Sequence, residues 1–83
     1  PLIAAIVAQR EIKTAPELAE MEAALAVTAR MHHAAMAACR PGVREAELVA
    51  TIEAIARAAD LPFAYAPIMS GRGEVLHNLR YNR

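Results

Sequence analysis

The histidine nearest the end of this chain is its best candidate for chemistry. His77 follows a glycine-containing loop and an apolar pair, and Asn78, Tyr81 and Asn82 are close to it in sequence. A neutral imidazole in such a place can hydrogen-bond a substrate or donate a proton to it. The local pattern by itself fits an ordinary surface histidine better, so a catalytic assignment needs support from elsewhere in the chain.

The other histidines and the one cysteine favour structural roles. His32 and His33 are adjacent on a predicted helix, where their side chains point about 100° apart and cannot chelate one ion together. The better interpretation for both is a buried or half-buried packing role. Cys39 lies near a predicted helix end and is interpreted as a small apolar packing residue. The acidic residues are scattered, and no pair of carboxylates is spaced to bind two metal ions.

Composition excludes several classes of protein. Nine basic and nine acidic side chains give a net charge of zero, so no basic surface for nucleic acid is expected. One cysteine excludes a disulfide framework and favours a reducing cytoplasm. The apolar start of the chain is too short to span a membrane and lacks the features of a signal peptide. Arginine dominates the basic residues and alanine is abundant, which indicates a GC-rich bacterial genome.

Two helices are predicted ahead of His77. Thr14 and Glu17 form a capping-box pattern that starts the first helix, and Pro41-Gly42 ends it. The second is predicted from about residue 44 to residue 59. The short turn between them predicts an antiparallel pair. The pair is expected to pack through apolar side chains on one face of each helix, which are Leu18, Met21, Leu25, Met31, Leu48, Ile52 and Ile55.

The two ends of the chain have different patterns. The apolar side chains of residues 1–10 have helical spacing. These residues are predicted to form the last turns of a helix that begins upstream. Residues 63–69 are predicted to be a strand that Pro67 restricts to a sheet edge or to a strand start. Residues 75–77 are predicted to begin a second strand. Residues 70–73 form the turn between them. Because these strands have few partners, the C-terminal segment is expected to be disordered or to associate with another chain.

Four short motifs follow one another along nearly the whole chain. They are Arg10-Glu11-Ile12-Lys13-Thr14 with Glu17, Arg40-Pro41-Gly42 with Glu45, Ser70-Gly71, and Leu76-His77. Their order and spacing resemble the start of the catalytic domain of Xaa-Pro aminopeptidases and prolidases. Those enzymes are pita-bread metallopeptidases, as are creatinase and methionine aminopeptidase. Each motif alone is weak, whereas the four in this order are fairly specific.

The resemblance implies an α+β fold that is an N-terminal fragment of the pita-bread fold. Residues 1–13 would end an interdomain linker helix, and residues 14–83 would begin an incomplete catalytic domain of two antiparallel helices, a strand and a loop. The implied activity is hydrolysis of Xaa-Pro bonds, of the aminopeptidase P or the prolidase type. Two divalent metal ions would serve it, with manganese favoured and zinc or cobalt as alternatives. The family's metal ligands all follow the Leu-His motif, so no metal ligand is assigned to this chain.

The same resemblance assigns a role to one residue. His77 matches the family histidine that contacts the substrate near the scissile amide, which makes it the one candidate catalytic residue. Asn78 and Gly73 depart from the Tyr and Asn that are usual in the aminopeptidase P branch, and a bacterial prolidase-like variant fits them better. The expected partners are proline-containing peptides and further copies of the chain. No nucleic acid, no membrane and no other cofactor is expected.

Two alternatives stay open at this point. The chain could belong to a non-catalytic pita-bread binding module, or to a helical interaction domain unrelated to peptidases. In either case, as in a peptidase, the 83 residues alone are expected to be inactive on Xaa-Pro peptides. Residues that could ligate metal ions beyond the Leu-His motif would distinguish a peptidase from both alternatives.

Overall fold

The computed structural model describes the whole chain, residues 1–83, as three helices without a strand. Helix α1 spans Leu2–Glu11, α2 spans Ala15–Ala38 and α3 spans Glu45–Ala58. The chain is therefore all-α, and the α+β class expected from the sequence is wrong. The three helices themselves agree closely with the helical segments that local sequence signals predicted.

The predicted capping box starts α2. Thr14 Oγ1 accepts a hydrogen bond from the Glu17 N–H at 3.4 Å, and the Glu17 carboxylate accepts one from the Thr14 N–H at 2.9 Å. Pro16 occupies the first turn, where a helix does not need the backbone donor that proline lacks. Beyond the other end of α2, Gly42 has a φ of +91°, a conformation that glycine adopts without steric cost. The predicted start and end of this helix are confirmed.

A small apolar core lies between α2 and α3. Leu48, Val49 and Ala56 of α3 are buried, and Ile52 and Ile55 are half-buried. The predicted packing of the two helices against each other is confirmed. On α2 the half-buried side chains all lie in the second half of the helix, and these are Val27, Met31, Ala34, Ala35 and Ala38.

The face predicted for the first half of α2 is wrong. Leu18, Met21 and Leu25 were expected in the interface, but each is about half exposed. One reason is length, because α3 has 14 residues and α2 has 24, so helices of about 21 Å and 36 Å cannot cover each other fully. The half-buried side chains of α2 begin at Val27, so α3 covers only the second half of the longer helix.

The first third of the molecule projects away from this core. Residues 2–26, called the N-terminal arm from here on, comprise α1 and the start of α2, and α1 contacts neither of the other helices. The radius of gyration is 16.6 Å, whereas a compact chain of this length has about 12 Å. Apolar side chains of the arm are exposed, with Leu2 at 73% and Ile3 at 80%. None of the three helices has both the length and the apolar character needed to span a bilayer.

The segment after α3 has no regular secondary structure. The strands predicted at residues 63–69 and 75–77 are wrong, because no second extended segment pairs with either of them. Pro62 and Pro67 also remove backbone donors that a ladder would need. The segment is held instead by side chains. The Tyr81 hydroxyl, for example, donates a hydrogen bond to the Pro67 carbonyl oxygen.

Candidate functional site: a buried glutamate that holds the histidine loop

One buried carboxylate joins the start of α3 to the C-terminal segment. Glu45 is the first residue of α3 and is 4% exposed, and no other charged side chain is buried. Its Oε1 accepts a hydrogen bond from the Gly71 N–H at 2.9 Å, and its Oε2 accepts one from Asn78 Nδ2 at 2.7 Å. We call this carboxylate with its two donors the Glu45 anchor. It links residues that are 26 and 33 positions apart in sequence.

The backbone of Glu45 contributes a further link. Its N–H donates to the carbonyl oxygen of Arg83 at 2.6 Å. The first N–H groups of a helix have no partner inside the helix, so this bond satisfies a donor that would otherwise be buried without one. The start of α3 therefore contacts the C-terminal segment at three points, which are Gly71, Asn78 and Arg83.

The surroundings of the carboxylate favour its ionised form. The hydrogen bond from the Gly71 N–H, more than any other contact, holds the pKa of Glu45 below its ordinary value of 4.5. Asn78 and the backbone and positive charge of Arg83 act in the same direction. Burial acts in the opposite direction and is outweighed. At neutral pH the anchor is thus a carboxylate that accepts, and does not donate, hydrogen bonds.

Asn78 is fixed from several sides. Besides its bond to Glu45, its Nδ2 donates to the Met69 carbonyl oxygen at 2.8 Å. Its Oδ1 accepts from the Arg80 N–H at 3.3 Å. An amide side chain offers both donors and an acceptor, and all three functions are used here. The residue that departs from the aminopeptidase P pattern is consequently the one that ties the loop together.

His77, the predicted site residue, lies inside the segment that the Glu45 anchor holds. Its φ is +52°, in the left-handed region that histidine enters more readily than most residues but still at a cost. The residue is exposed and lines a cleft of about 300 Å³ together with Ser70, Asn78, Arg80 and Arg83. That volume is at the small end of ligand sites. A catalytic role for His77 stays a prediction.

The predicted turn at residues 70–73 is confirmed. Ser70 Oγ accepts a hydrogen bond from the Arg72 N–H at 3.1 Å and donates one to the Arg72 carbonyl oxygen at 2.6 Å. Arg72 also forms an ion pair of 2.6 Å with Glu74, but both side chains are more than half exposed. Exposed pairs of this kind contribute little to stability. The turn is therefore held by Ser70 and, through Gly71, by Glu45.

The remaining candidates from the sequence are not brought together. His32, His33 and Cys39 are all exposed, so the burial expected for them is wrong. Met31, Ala34 and Ala38 form the face of α2 that contacts α3. This face is rotated around the helix from the stripe that contains His32 and Cys39. Nowhere in the 83 residues do three His, Cys, Asp or Glu side chains lie close enough to hold a metal ion.

Comparison with known proteins supplies the family. The model of metallopeptidase family M24 matches residues 19–83, which include α3, the Glu45 anchor and His77. This chain belongs to metallopeptidase family M24. Its members are peptidases that generally use divalent metal ions, but the residues present here do not fit such a centre. No curated protein and no solved structure shows significant similarity to the chain.

Sequence analysis missed the two residues that hold this site. Glu45 was recognised only as a motif member in the first turn of a helix. An acidic residue is common there because it complements the helix dipole, so its presence did not indicate a tertiary contact. Asn78 was described as a neighbour of His77 and as a departure from a family pattern, without a structural role. The sequence signal that could have identified them is their position beside motifs: Glu45 follows Pro41-Gly42, and Asn78 follows Leu76-His77.

Proposed function

We propose that these residues form part of the catalytic domain of a metal-dependent peptidase that hydrolyses Xaa-Pro peptide bonds. The family match over residues 19–83 carries the peptidase part of the proposal. The Xaa-Pro part is supported by the order of the Arg40-Pro41-Gly42, Ser70-Gly71 and Leu76-His77 motifs. Its substrates would be proline-containing peptides, cleaved as by an aminopeptidase or a dipeptidase.

Metal ions belong to this proposal, but their ligands do not come from the 83 residues. The chain has no cluster of three His, Cys, Asp or Glu side chains that could hold an ion. Manganese is the proposed ion, with zinc and cobalt as alternatives. The cytoplasm is the proposed compartment, supported by a cysteine that forms no disulfide.

His77 is the residue that we propose to contact the substrate. Its side chain is exposed in the cleft, and its backbone belongs to the loop that Glu45 and Asn78 hold. A hydrogen bond from an imidazole to the reacting amide stabilises the reaction most if it strengthens in the transition state. A fixed loop suits this role, because a preformed donor needs no reorganisation during the reaction.

The test is a comparison of two histidine substitutions in the full-length protein that contains this chain. His77→Ala is expected to lower kcat on a Gly-Pro or Ala-Pro substrate by on the order of 10²-fold, the range for losing one such donor. Metal content and melting temperature are expected to stay unchanged. His33→Ala removes an exposed histidine of α2 and serves as the matched control. Normal kcat in His77→Ala with metal bound would remove the role proposed for this residue.

A non-catalytic binding module is the second candidate, and the family match over residues 19–83 is compatible with it as well. It predicts that the full-length protein binds proline-containing peptides but does not cleave them, even with manganese supplied. Cleavage of Xaa-Pro substrates and not of matched Xaa-Ala substrates supports the peptidase. The 83 residues alone are expected to be inactive in both cases, because a metal-activated water needs ligands that they lack.

We also propose that a second copy of the chain covers the N-terminal arm. The chain exposes 6788 Å², whereas a compact monomer of its mass exposes about 4,800 Å². The excess is larger than the roughly 800 Å² that each partner buries in an interface of standard size. The exposed surface of α1 and the start of α2 includes the apolar side chains of Leu2, Ile3, Val7, Leu18 and Leu25.

A further inference from the structure

The contacts of Glu45 enclose the residue that we propose to touch the substrate. Its two carboxylate oxygens bind Gly71 and Asn78, and His77 lies between those two positions, next to Asn78. No other buried charge and no helix or strand holds this stretch. Asn78 and Tyr81 also bond within the C-terminal segment, to Met69 and Pro67, but Glu45 supplies the only helix side chain that hydrogen-bonds the His77 loop.

The loop needs such a constraint because it contains an unfavourable backbone conformation. His77 has a φ of +52° and Tyr81 a φ of +51°, and residues other than glycine adopt such values only where their surroundings hold them there. Asn78 provides the hold on one side of His77, with hydrogen bonds to Glu45, Met69 and Arg80. If Asn78 lost Glu45 as an acceptor, its bonds to Met69 and Arg80 would remain, but the side-chain contact that ties it to α3 would be gone.

We infer that Glu45 is a positioning residue for the substrate-site histidine. Its carboxylate, acting through Gly71 and Asn78, holds His77 in the conformation in which its side chain lines the cleft. This role rests on the proposed function, since it assumes that His77 contacts the substrate. Glu45 itself is buried beneath the loop and touches no reacting atom. Its effect on the reaction is transmitted entirely through the loop.

The chemistry of the anchor decides which substitution tests it. Glu45→Gln keeps the size of the side chain but replaces one of its two accepting oxygens with an NH₂ group, which can only donate. Either Gly71 or Asn78 then faces a second donor. Glu45→Asp keeps both oxygens and the charge on a shorter side chain. It is expected to restore part of the function that the glutamine variant loses.

Glu47→Gln is the matched control. Glu47 lies in the same turn of α3, and its carboxylate accepts only the Arg44 N–H, at 3.2 Å, without any contact to the C-terminal segment. The change removes the same charge from the same helix end. Any effect that comes from the helix start alone is therefore expected in both variants, whereas an effect of the anchor is expected only in Glu45→Gln.

The experiment has two readouts. In the 83-residue chain, hydrogen exchange is expected to be at least tenfold faster in Glu45→Gln at the Gly71 amide, which donates to Glu45, and at the Arg80 amide, which donates to Asn78. The α2 and α3 amides are expected to stay unchanged. In the full-length protein, kcat on an Ala-Pro substrate is expected to fall by about tenfold with KM nearly constant. Glu45→Asp should recover part of both losses, and Glu47→Gln should show neither.

Each other outcome overturns the inference in a distinguishable way. Unchanged exchange in the loop would show that Glu45 does not hold it. A faster-exchanging loop with normal kcat would show that the anchor is structural and that His77 needs no positioning. A wild-type protein that cleaves no Xaa-Pro substrate would overturn the proposed function and the role of Glu45 in it. Faster exchange in the loop of Glu45→Gln would then identify a purely structural contact.

Discussion

The N-terminal arm and the region around α3 use their apolar residues in opposite ways. The arm contains several of the largest aliphatic side chains in the molecule, and they are exposed. The region around α3 buries only Leu48, Val49 and Ala56, yet it holds together helix, turn and C-terminal segment. Apolar content by itself therefore does not determine which part of this chain is packed.

The difference lies in the partners that each region has. α3 has a helix of small residues to pack on, and Glu45 at its start binds the segment that follows it. The arm has neither, and an isolated helix of 10 residues such as α1 is only marginally stable in water. The comparison indicates that the region around α3 is stabilised by its own contacts, whereas the N-terminal arm needs another surface to cover its apolar side chains.

The largest effect expected from this contrast is on stability. Leu48→Ala removes a side chain that is 9% exposed and should lower the free energy of unfolding by about 2–4 kcal/mol. Leu25→Ala makes the same chemical change on the arm, where the side chain is 56% exposed in the single chain. At concentrations too low for two copies to associate, it should cost about 0.5 kcal/mol or less. Urea unfolding followed by circular dichroism measures both. Equal losses in the two variants would show that the arm is packed after all.

A second, smaller effect is expected on self-association. Sedimentation of the wild-type chain should show dimers, because pairing would cover the apolar surface of the arm. Ile3→Glu places a charge on that surface, where Ile3 is 80% exposed, and should shift the chain to monomer. Gln9→Glu adds the same charge to α1 without removing an apolar side chain and should leave the dimer intact.

Two results would contradict this arrangement of copies. A wild-type chain that stays monomeric at high concentration would show that no second copy covers the arm. Dimers that persist equally in Ile3→Glu and Gln9→Glu would place the interface elsewhere on the molecule. A dimer that forms only without the remainder of a longer protein would identify that remainder as the natural cover of the arm.

Local signals in the sequence predicted the helices well. The ends of α2 follow from sequence alone, because the residues that set them, Thr14, Glu17 and Pro41-Gly42, interact only with close neighbours in the chain. The face of α2 did not follow, because alanine is spread around the helix and several stripes look equally apolar. Which stripe is buried depends on where α3 lies, and that is a tertiary property.

The C-terminal segment shows the same limit more strongly. Residues 63–69 have the composition of a strand, but a strand requires a partner that sequence patterns do not reveal. The Glu45 anchor was equally hidden, since it joins residues 26 and 33 positions apart. The motif positions of Glu45 and His77 were visible in the sequence, whereas the contacts that connect them are visible only in the structure.

The most direct test of this account is an NMR titration of the 83-residue chain with pH. The pKa of Glu45 is lowered on folding by the Gly71 N–H, so the anchor contributes its full stability above the ordinary value of 4.5 and loses it as pH falls through the lower folded value. The Gly71 backbone amide and the Asn78 side-chain amide should therefore shift together, with one midpoint below 4.5. The signals of amides in the N-terminal arm should not shift with that midpoint. In Glu45→Gln, the shift of the Gly71 and Asn78 signals should be absent. A midpoint at or above 4.5, or Gly71 and Asn78 signals that ignore pH, would contradict the claim that Glu45 holds the loop.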